Sequence, residues 1–138
     1  WHFLCAIARG NDVEIQDMPK YVDGYLLVVP KKNLAAYKKM ARTAGKVWMD
    51  HGALEYRECA GDDLALPWGT NYTKLLKTTP KETVVYSWIV YKSKAQRDKV
   101  NQAVMKDPRL TASMDPKKMP FDMKRMSCGG FVPFVDAT

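Results

Sequence analysis

The 138-residue chain contains only three cysteines and two histidines, which are common ligands and nucleophiles in metal and catalytic sites. Its three cysteines, Cys5, Cys59 and Cys128, show neither CxxC nor Cys/His spacing, which argues against a disulfide framework and a zinc site. The sequence has no phosphate-binding glycine loop, no dinucleotide fingerprint and no serine elbow. Nucleotide enzymes and hydrolases are therefore disfavoured, and we predict neither a metal ion nor a cofactor.

Long hydrophobic runs are also missing. No apolar stretch approaches the roughly 18 residues needed to span a bilayer, so we expect no membrane association. The opening stretch "WHFLCAIA" has no basic region before it and is not typical of a secretory leader. An odd number of cysteines without a pairing pattern fits a reducing compartment, and we expect a cytoplasmic protein.

The composition is that of one domain with excess positive charge. One arginine against three carboxylates gives residues 1–17 a net charge of −2, which leaves +9 on the remainder of a chain of net charge +7. We hypothesise that residues 1–17 are an artificial or mis-assigned extension, that Met18 is the natural start, and that residues 18–138 form a single domain. The alternative is a genuine N-terminal strand or arm. The basic charge permits a nucleic acid or an acidic partner but specifies neither.

Hydrophobic periodicity predicts alternating strands and helices. The stretches "YVDGYLLVV", "ALEYRECAG", "TVVYSWIVYK" and "RMSCGGFVPFV" are typical of strands, and the glycine pair in the last indicates a bulge or a close backbone approach. Apolar residues at three- and four-residue steps predict a helix that begins after Asn33 and ends near Gly52. Ser93 and Gln96 have capping-box spacing at the start of a second helix, which Pro108 ends. We favour a further short strand over residues 72–77.

This order of elements predicts an α+β fold of the split βαβ, ferredoxin-like plan, with an antiparallel sheet. Because crossover connections are right-handed, both helices are expected on one face of the sheet. The other face is too apolar for water, and we predict that a second copy of the chain covers it. Such a homodimer would bury about 1,600 Å² or more.

The stretch "SCGGFVPF" raises RNA as another occupant of that face. Gly130, Phe131, Val132 and Phe134 match the rear of an RNA-binding motif, Gly/Ala-Phe-Val-x-Phe/Tyr. However, Gly129 stands where the first stacking aromatic is needed, and the motif lies on the last strand rather than the third. RNA binding is therefore the third of our alternatives.

Four long collinear stretches resemble one family: "YVDGYLLVVP", "HGALEYRECAGDD", "ETVVYSWIVYKSKAQRD" and "DPKKMPFDMKRMSCGGFVPFVDA". They look like the YbaA-like bacterial domain-of-unknown-function family of the dimeric α/β-barrel superfamily. The resemblance covers most of residues 19–137. It implies a ferredoxin-like protomer that pairs into a barrel-like dimer, and it implies no activity.

Superfamily relatives include cofactor-independent monooxygenases and haem-degrading enzymes that work in a pocket between the sheet and its helices. The polar or aromatic residues that we select for such a pocket are His51, Trp88, Asp122 and Arg125. Each has a structural alternative: a helix end for His51, the core for Trp88, and a loop turn or local ion pair for the other two. We predict a dimer of unknown biochemical role that binds a small apolar or aromatic ligand. The alternatives are a monooxygenase-like enzyme and an RNA-binding protein.

Overall fold

The structure, a computed structural model, describes residues 19–137 and contains one four-stranded antiparallel sheet. Its strands are β1 (Tyr21–Pro30), β2 (Glu55–Ala60), β3 (Glu82–Tyr91) and β4 (Ser127–Phe131). Their order across the sheet, β2-β3-β1-β4, is that of the ferredoxin-like plan and confirms the predicted α+β fold. The interpretation of residues 1–17 as an extension concerns residues outside the described range and stays a prediction.

Two long helices pack on the same face of the sheet. They are α1 (Leu34–Asp50) and α3 (Lys94–Met105); the shorter helices are α2 (Tyr72–Leu75) and α4 (Pro108–Ser113). Val47 of α1 and Val100 and Val104 of α3 join Ile89 and Tyr91 of β3 in one buried cluster. The prediction that both helices lie on one face is therefore confirmed. Within residues 19–137 no helix is long and apolar enough to cross a membrane.

Of the predicted signals at Ser93, Gly52 and Asn33, the first two act at the helix ends as expected. Ser93 Oγ accepts a hydrogen bond from Gln96 N at 3.1 Å and caps α3. Gly52, with φ +111°, provides the left-handed residue after α1. Asn33 precedes α1, but its side chain does not cap the helix. Its Nδ2 donates to the carbonyl of Pro120 at 3.1 Å and ties α1 to the connection before β4.

The short strand predicted over residues 72–77 is wrong. Residues 72–75 form the helical turn α2, in which the Asn71 carbonyl accepts from the amides of Lys74 and Leu75. The ring centroid of Tyr72 lies 6.4 Å from that of Tyr86, which projects from a face of the sheet. A segment that lies over a face cannot pair with the edge of a strand, so it satisfies its backbone locally.

The connection after Pro108 also contains a helix, α4, that was not predicted. Asp107 caps it by accepting from the amide of Arg109 at 2.9 Å, and proline occupies the first position. Leu110 of this helix is buried in the core cluster of α1 and α3. The connection therefore closes one side of the protein rather than passing over it as an irregular loop.

The second face of the sheet, which is the face opposite α1 and α3, is only partly covered by the chain itself. Val28 and Val84 are buried there at 2% exposure, whereas Tyr86 and Phe131 are 45% and 62% exposed. Trp88 lies beside Tyr86, with ring centroids 5.5 Å apart. An exposed aromatic surface therefore remains on the side away from α1 and α3.

Candidate functional site

A cavity of about 260 Å³ lies between the helices and the sheet. Its apolar walls are formed by Met40, Met105, Met114, Met119, Met123, Met126, Leu27, Ile89, Leu110 and Phe121. Methionine side chains are flexible and polarisable, so a wall of this kind adapts to apolar guests of different shape. Because pockets for drug-sized ligands measure about 300–1,000 Å³, this cavity suits a smaller molecule.

A row of polar side chains crosses the sheet at the cavity. Glu58 of β2 pairs in register with Ser87 of β3, and Ser87 pairs with Tyr25 of β1. Directly opposed residues project to the same face, and all three line the cavity. Burial raises the pKa of Tyr25 to about 12, so its hydroxyl stays protonated at neutral pH. The cavity is thus apolar on its walls and polar along this row.

Two tyrosines hold the carboxylate of Glu58. The hydroxyl of Tyr37, on α1, donates to Glu58 Oε1, and the hydroxyl of Tyr56, two residues earlier on β2, donates to Oε2 at 2.6 Å. Burial, together with the charge of Glu58, raises the pKa of both phenols well above the usual range. Both therefore remain donors at neutral pH. An ionised carboxylate has about four acceptor positions, so Glu58 can accept further hydrogen bonds.

An outer groove of about 550 Å³ runs along α1 and β2 and meets the cavity at Glu58. Tyr37, Ala41, Tyr56 and Glu58 line both spaces. Gly45 of α1 lies at the groove, where a Cβ atom would be 3.0 Å from Cδ1 of Tyr56. The absence of a side chain at Gly45 lets the helix lie close to the Tyr56 ring. Glu58 therefore stands where the cavity opens towards solvent.

A second carboxylate, Asp23, lies on the same face but pairs with a cation. Arg97 Nη1 donates to Asp23 Oδ1 at 3.2 Å, and the side chain of Asn101 also bonds to Asp23. Asn101 Oδ1 in turn accepts from Trp48 Nε1 and the Tyr91 hydroxyl, both at 3.2 Å. Burial raises the pKa of Asp23, although Arg97 opposes that effect. The group links β1 to α3, and Asp23 does not line the cavity.

None of the four predicted site residues lines the cavity. His51 lies at the end of α1, where its Nε2 is 2.9 Å from Oδ2 of Asp107. Hydrogen bonds from Arg109 and His51 hold the pKa of Asp107 well below its usual range. These contacts join α1 to α4 and agree with a structural role at the helix end.

The other three residues lie apart from His51 and from one another. Trp88 projects from the second face of the sheet, and Asp122 Oδ1 accepts from the amide of Lys124 at 3.0 Å. Arg125 Nη1 donates to Glu82 Oε2 at 2.6 Å instead of pairing with Asp122. The structure does not bring the four together, and their role as site residues stays a prediction.

The sequence contained one signal for Glu58. The inward-facing positions of β2 are 56, 58 and 60, and Glu58 is the charged residue among otherwise apolar or aromatic neighbours. A carboxylate on the buried side of a strand is costly unless it is hydrogen-bonded, so it marks a position worth examining. Tyr37 gave no such signal, because its position in α1 is that of an ordinary core residue. Within residues 19–137 no group of three His, Cys, Asp or Glu side chains is placed to hold a metal ion.

The sequence of the chain is similar to that of one protein family. Residues 20–123 match a family described as "Protein of unknown function (DUF1428)". The chain is 41% identical over 117 residues to the "Uncharacterized protein YbaA" of Escherichia coli strain K12, a match that covers 85% of this chain and 98% of that protein. The YbaA of Shigella flexneri matches to the same extent.

Two solved structures share the fold. A nipsnap family protein with unknown function from Agrobacterium tumefaciens strain C58 superimposes with a TM-score of 0.53 at 12% identity, over 85% of this chain and 90% of that chain. A dimeric ferredoxin-like protein from an uncultured marine organism gives 0.50 at 11% identity, over 86% and 99%. At these identities the likeness concerns the fold alone.

Proposed function

The chain belongs to the family described as Protein of unknown function (DUF1428), as its sequence resemblance predicted, and we propose that it binds a small apolar molecule between the sheet and the helices. The ligand donates a hydrogen bond to Glu58 from a hydroxyl or N–H group. The observation that carries this proposal is the position of Glu58, held by two phenols at the junction of an apolar cavity and an open groove.

The carboxylate of Glu58 has acceptor positions that the described residues leave unused. Among residues 19–137 no cation forms an ion pair with this carboxylate, which is half-buried. A carboxylate removed from water is costly unless its acceptor positions are used, and two phenols use about half of them. A ligand hydroxyl replaces the lost water while its apolar body fills the space between the methionines.

Benzyl alcohol, one ring with one hydroxyl, is the probe that tests this binding. We expect Glu58→Gln to weaken its affinity, measured by calorimetry, about tenfold, because a hydrogen bond to a charged group contributes about 1.5–3 kcal/mol. Glu55→Gln is the matched control: it makes the same chemical change on the opposite face of β2 and should leave binding unaltered. Equal losses in the two variants, or no binding of the probe by the unmodified protein, would contradict the proposal.

The monooxygenase-like alternative depends on the same cavity. A substrate has to occupy that space before any oxygen chemistry, so the alternative also fails if no small apolar molecule binds. Native mass spectrometry of the purified protein offers an independent view, because a co-purified ligand would appear as a mass increment that denaturation removes.

A homodimer formed through the second face of the sheet is the partner that we propose. Tyr86, Trp88 and Phe131 supply the aromatic surface, and the segment after β4 adds Phe134, which is 98% exposed. Aromatic residues are enriched at the cores of stable interfaces. The marine protein of the same fold is described as a dimeric ferredoxin-like protein, which supports a dimer for this chain.

Sedimentation at micromolar concentration tests the dimer. We expect the mass of two chains for the unmodified protein and for Tyr86→Phe, which keeps the ring, and the mass of one chain for Tyr86→Lys, which places a charge on the contact surface. A monomeric unmodified protein would rule the dimer out.

The free thiols of Cys59 and Cys128 are exposed, which supports a location in the reducing cytoplasm.

A further inference from the structure

Three cations of α1 line the outer groove. Lys38, Arg42 and Lys46 recur every four residues and therefore lie on one stripe of the helix. Like charges at this spacing repel one another and destabilise a helix. The stripe therefore lowers the stability of the helix on which it lies.

None of these three cations has a carboxylate partner within residues 19–137. Arg42 differs in this from every other arginine of that range. Those arginines, each of which pairs with a carboxylate, are Arg57, Arg97, Arg109 and Arg125. Among residues 19–137, Glu58 is the one acidic residue that lines the groove, and both of its oxygens already accept from tyrosines. The groove is therefore a cationic entrance to an apolar cavity.

We infer that the ligand is a small apolar acid whose anionic end lies in the groove against Lys38, Arg42 and Lys46. The inference rests on the proposed function and names the class of molecule for the same site. A carboxylate offers the acceptors that lysine and arginine lack among their own neighbours. The ring or chain of the acid occupies the cavity, and its hydroxyl or N–H group meets Glu58. The repulsion between Glu58 and the anion keeps the carboxylate at the helix side of the groove.

Three probes that share one ring and one hydroxyl separate charge from shape. Mandelate carries a carboxylate, phenylethylene glycol a neutral hydroxyl and phenylethanolamine an ammonium group. At low ionic strength we expect mandelate to bind about three- to tenfold more tightly than the glycol, the range for a few partly exposed charge contacts, and the amine to bind most weakly. In about 1 M salt, where the screening length is about 3 Å, the difference should largely disappear.

Two triple variants locate the effect. Lys38→Gln/Arg42→Gln/Lys46→Gln should abolish the preference for mandelate over the glycol. Lys31→Gln/Lys32→Gln/Lys39→Gln lowers the net charge by the same amount at residues that do not line the groove, and it should retain the preference.

The outcomes distinguish this inference from the function on which it rests. If the glycol binds but mandelate has no advantage, or if both triple variants reduce that advantage equally, the anionic class is wrong while the cavity still binds ligand. If none of the three probes binds and benzyl alcohol does not bind either, the proposed function itself fails.

Discussion

Two carboxylates on the helix-facing side of one sheet have different surroundings. Asp23, on β1, is 4% exposed, paired with Arg97 and hydrogen-bonded to Asn101. Glu58, on β2, is half-buried, accepts hydrogen bonds from the neutral hydroxyls of Tyr37 and Tyr56, and lines the cavity. Burial of an acid is therefore not by itself the mark of a binding site. What distinguishes Glu58 is the combination of neutral donors and room for a ligand.

Removal of the Asp23 carboxylate should produce the largest effect on stability. We expect Asp23→Ala to lower the free energy of unfolding by up to about 3–5 kcal/mol, because Arg97, which is largely buried, would keep only the more exposed Asp98 as an ion-pair partner. Glu58→Ala should cost only about 1–3 kcal/mol, the range for hydroxyl donors that lose an acceptor. Urea denaturation of the two variants measures both values.

A double-mutant cycle with Arg97→Met separates the ion pair from other consequences of the change. If Asp23 is structural through Arg97, Asp23→Ala in the Arg97→Met background should cost much less than in the unmodified protein. The contrast between the two carboxylates would be broken if Asp23→Ala and Glu58→Ala destabilised the protein equally.

The two carboxylates should also shift the pKa values of different tyrosines. Burial is the main cause of the raised pKa of Tyr37, Tyr56 and Tyr91; the charge of Glu58 adds to the first two, and that of Asp23 to the third. Glu58→Gln should therefore lower the pKa of Tyr37 and Tyr56 and not that of Tyr91. Asp23→Asn should lower the pKa of Tyr91 and leave those of Tyr37 and Tyr56 unchanged. Tyrosinate absorbance, with single Tyr→Phe variants for assignment, measures the shifts.

The same raised pKa values predict how stability changes in alkali. A phenol whose pKa is higher in the folded than in the unfolded protein stabilises the fold below the unfolded value of about 10, and this contribution is lost as the pH rises above it. The free energy of unfolding should therefore fall in both proteins as the pH rises above about 10, and the fall should end at a lower pH in Glu58→Gln, because its folded-state phenols have the lower pKa. A fall that ends at the same pH in both proteins would show that Glu58 does not act on the phenols.

The sequence was sufficient to predict the order of the main strands and helices, because local patterns determine these elements. Alternation at period two gave the strands, three- and four-residue steps gave α1, and the Ser93–Gln96 spacing gave the start of α3, where the predicted hydrogen bond is present. The turn over residues 72–75 was missed because its preference depends on a position above the sheet face, which no local pattern records.

The site was much less predictable than the fold. Its carboxylate and its donors become neighbours only when α1 places Tyr37 over β2, an arrangement that the sequence separation of 21 residues does not reveal. The methionines at positions 114, 119 and 123 lie in a connection that resembles a loop in sequence, and they become cavity walls only because α4 folds back on the core. A single sequence shows that these residues are apolar but not that they enclose a space.

The smallest expected effect on stability belongs to Gly45, which separates α1 from Tyr56. Gly45→Ala favours the helix by up to about 1 kcal/mol, but its Cβ would press on the Tyr56 ring at 3.0 Å. The two effects should leave the free energy of unfolding within about 1 kcal/mol of the unmodified value. Because Tyr56 holds Glu58, the displaced ring should nevertheless weaken benzyl alcohol binding.

Gly52→Ala provides the contrast for Gly45→Ala. At φ +111° an alanine is strained, so this change should reduce stability without altering the affinity of the folded protein for the probe. Calorimetry on both variants at a temperature where each is folded gives the comparison. If Gly45→Ala bound benzyl alcohol as tightly as Gly52→Ala does, the hold of Tyr56 on Glu58 would not matter for binding. Glu58 would then have to act through its charge alone.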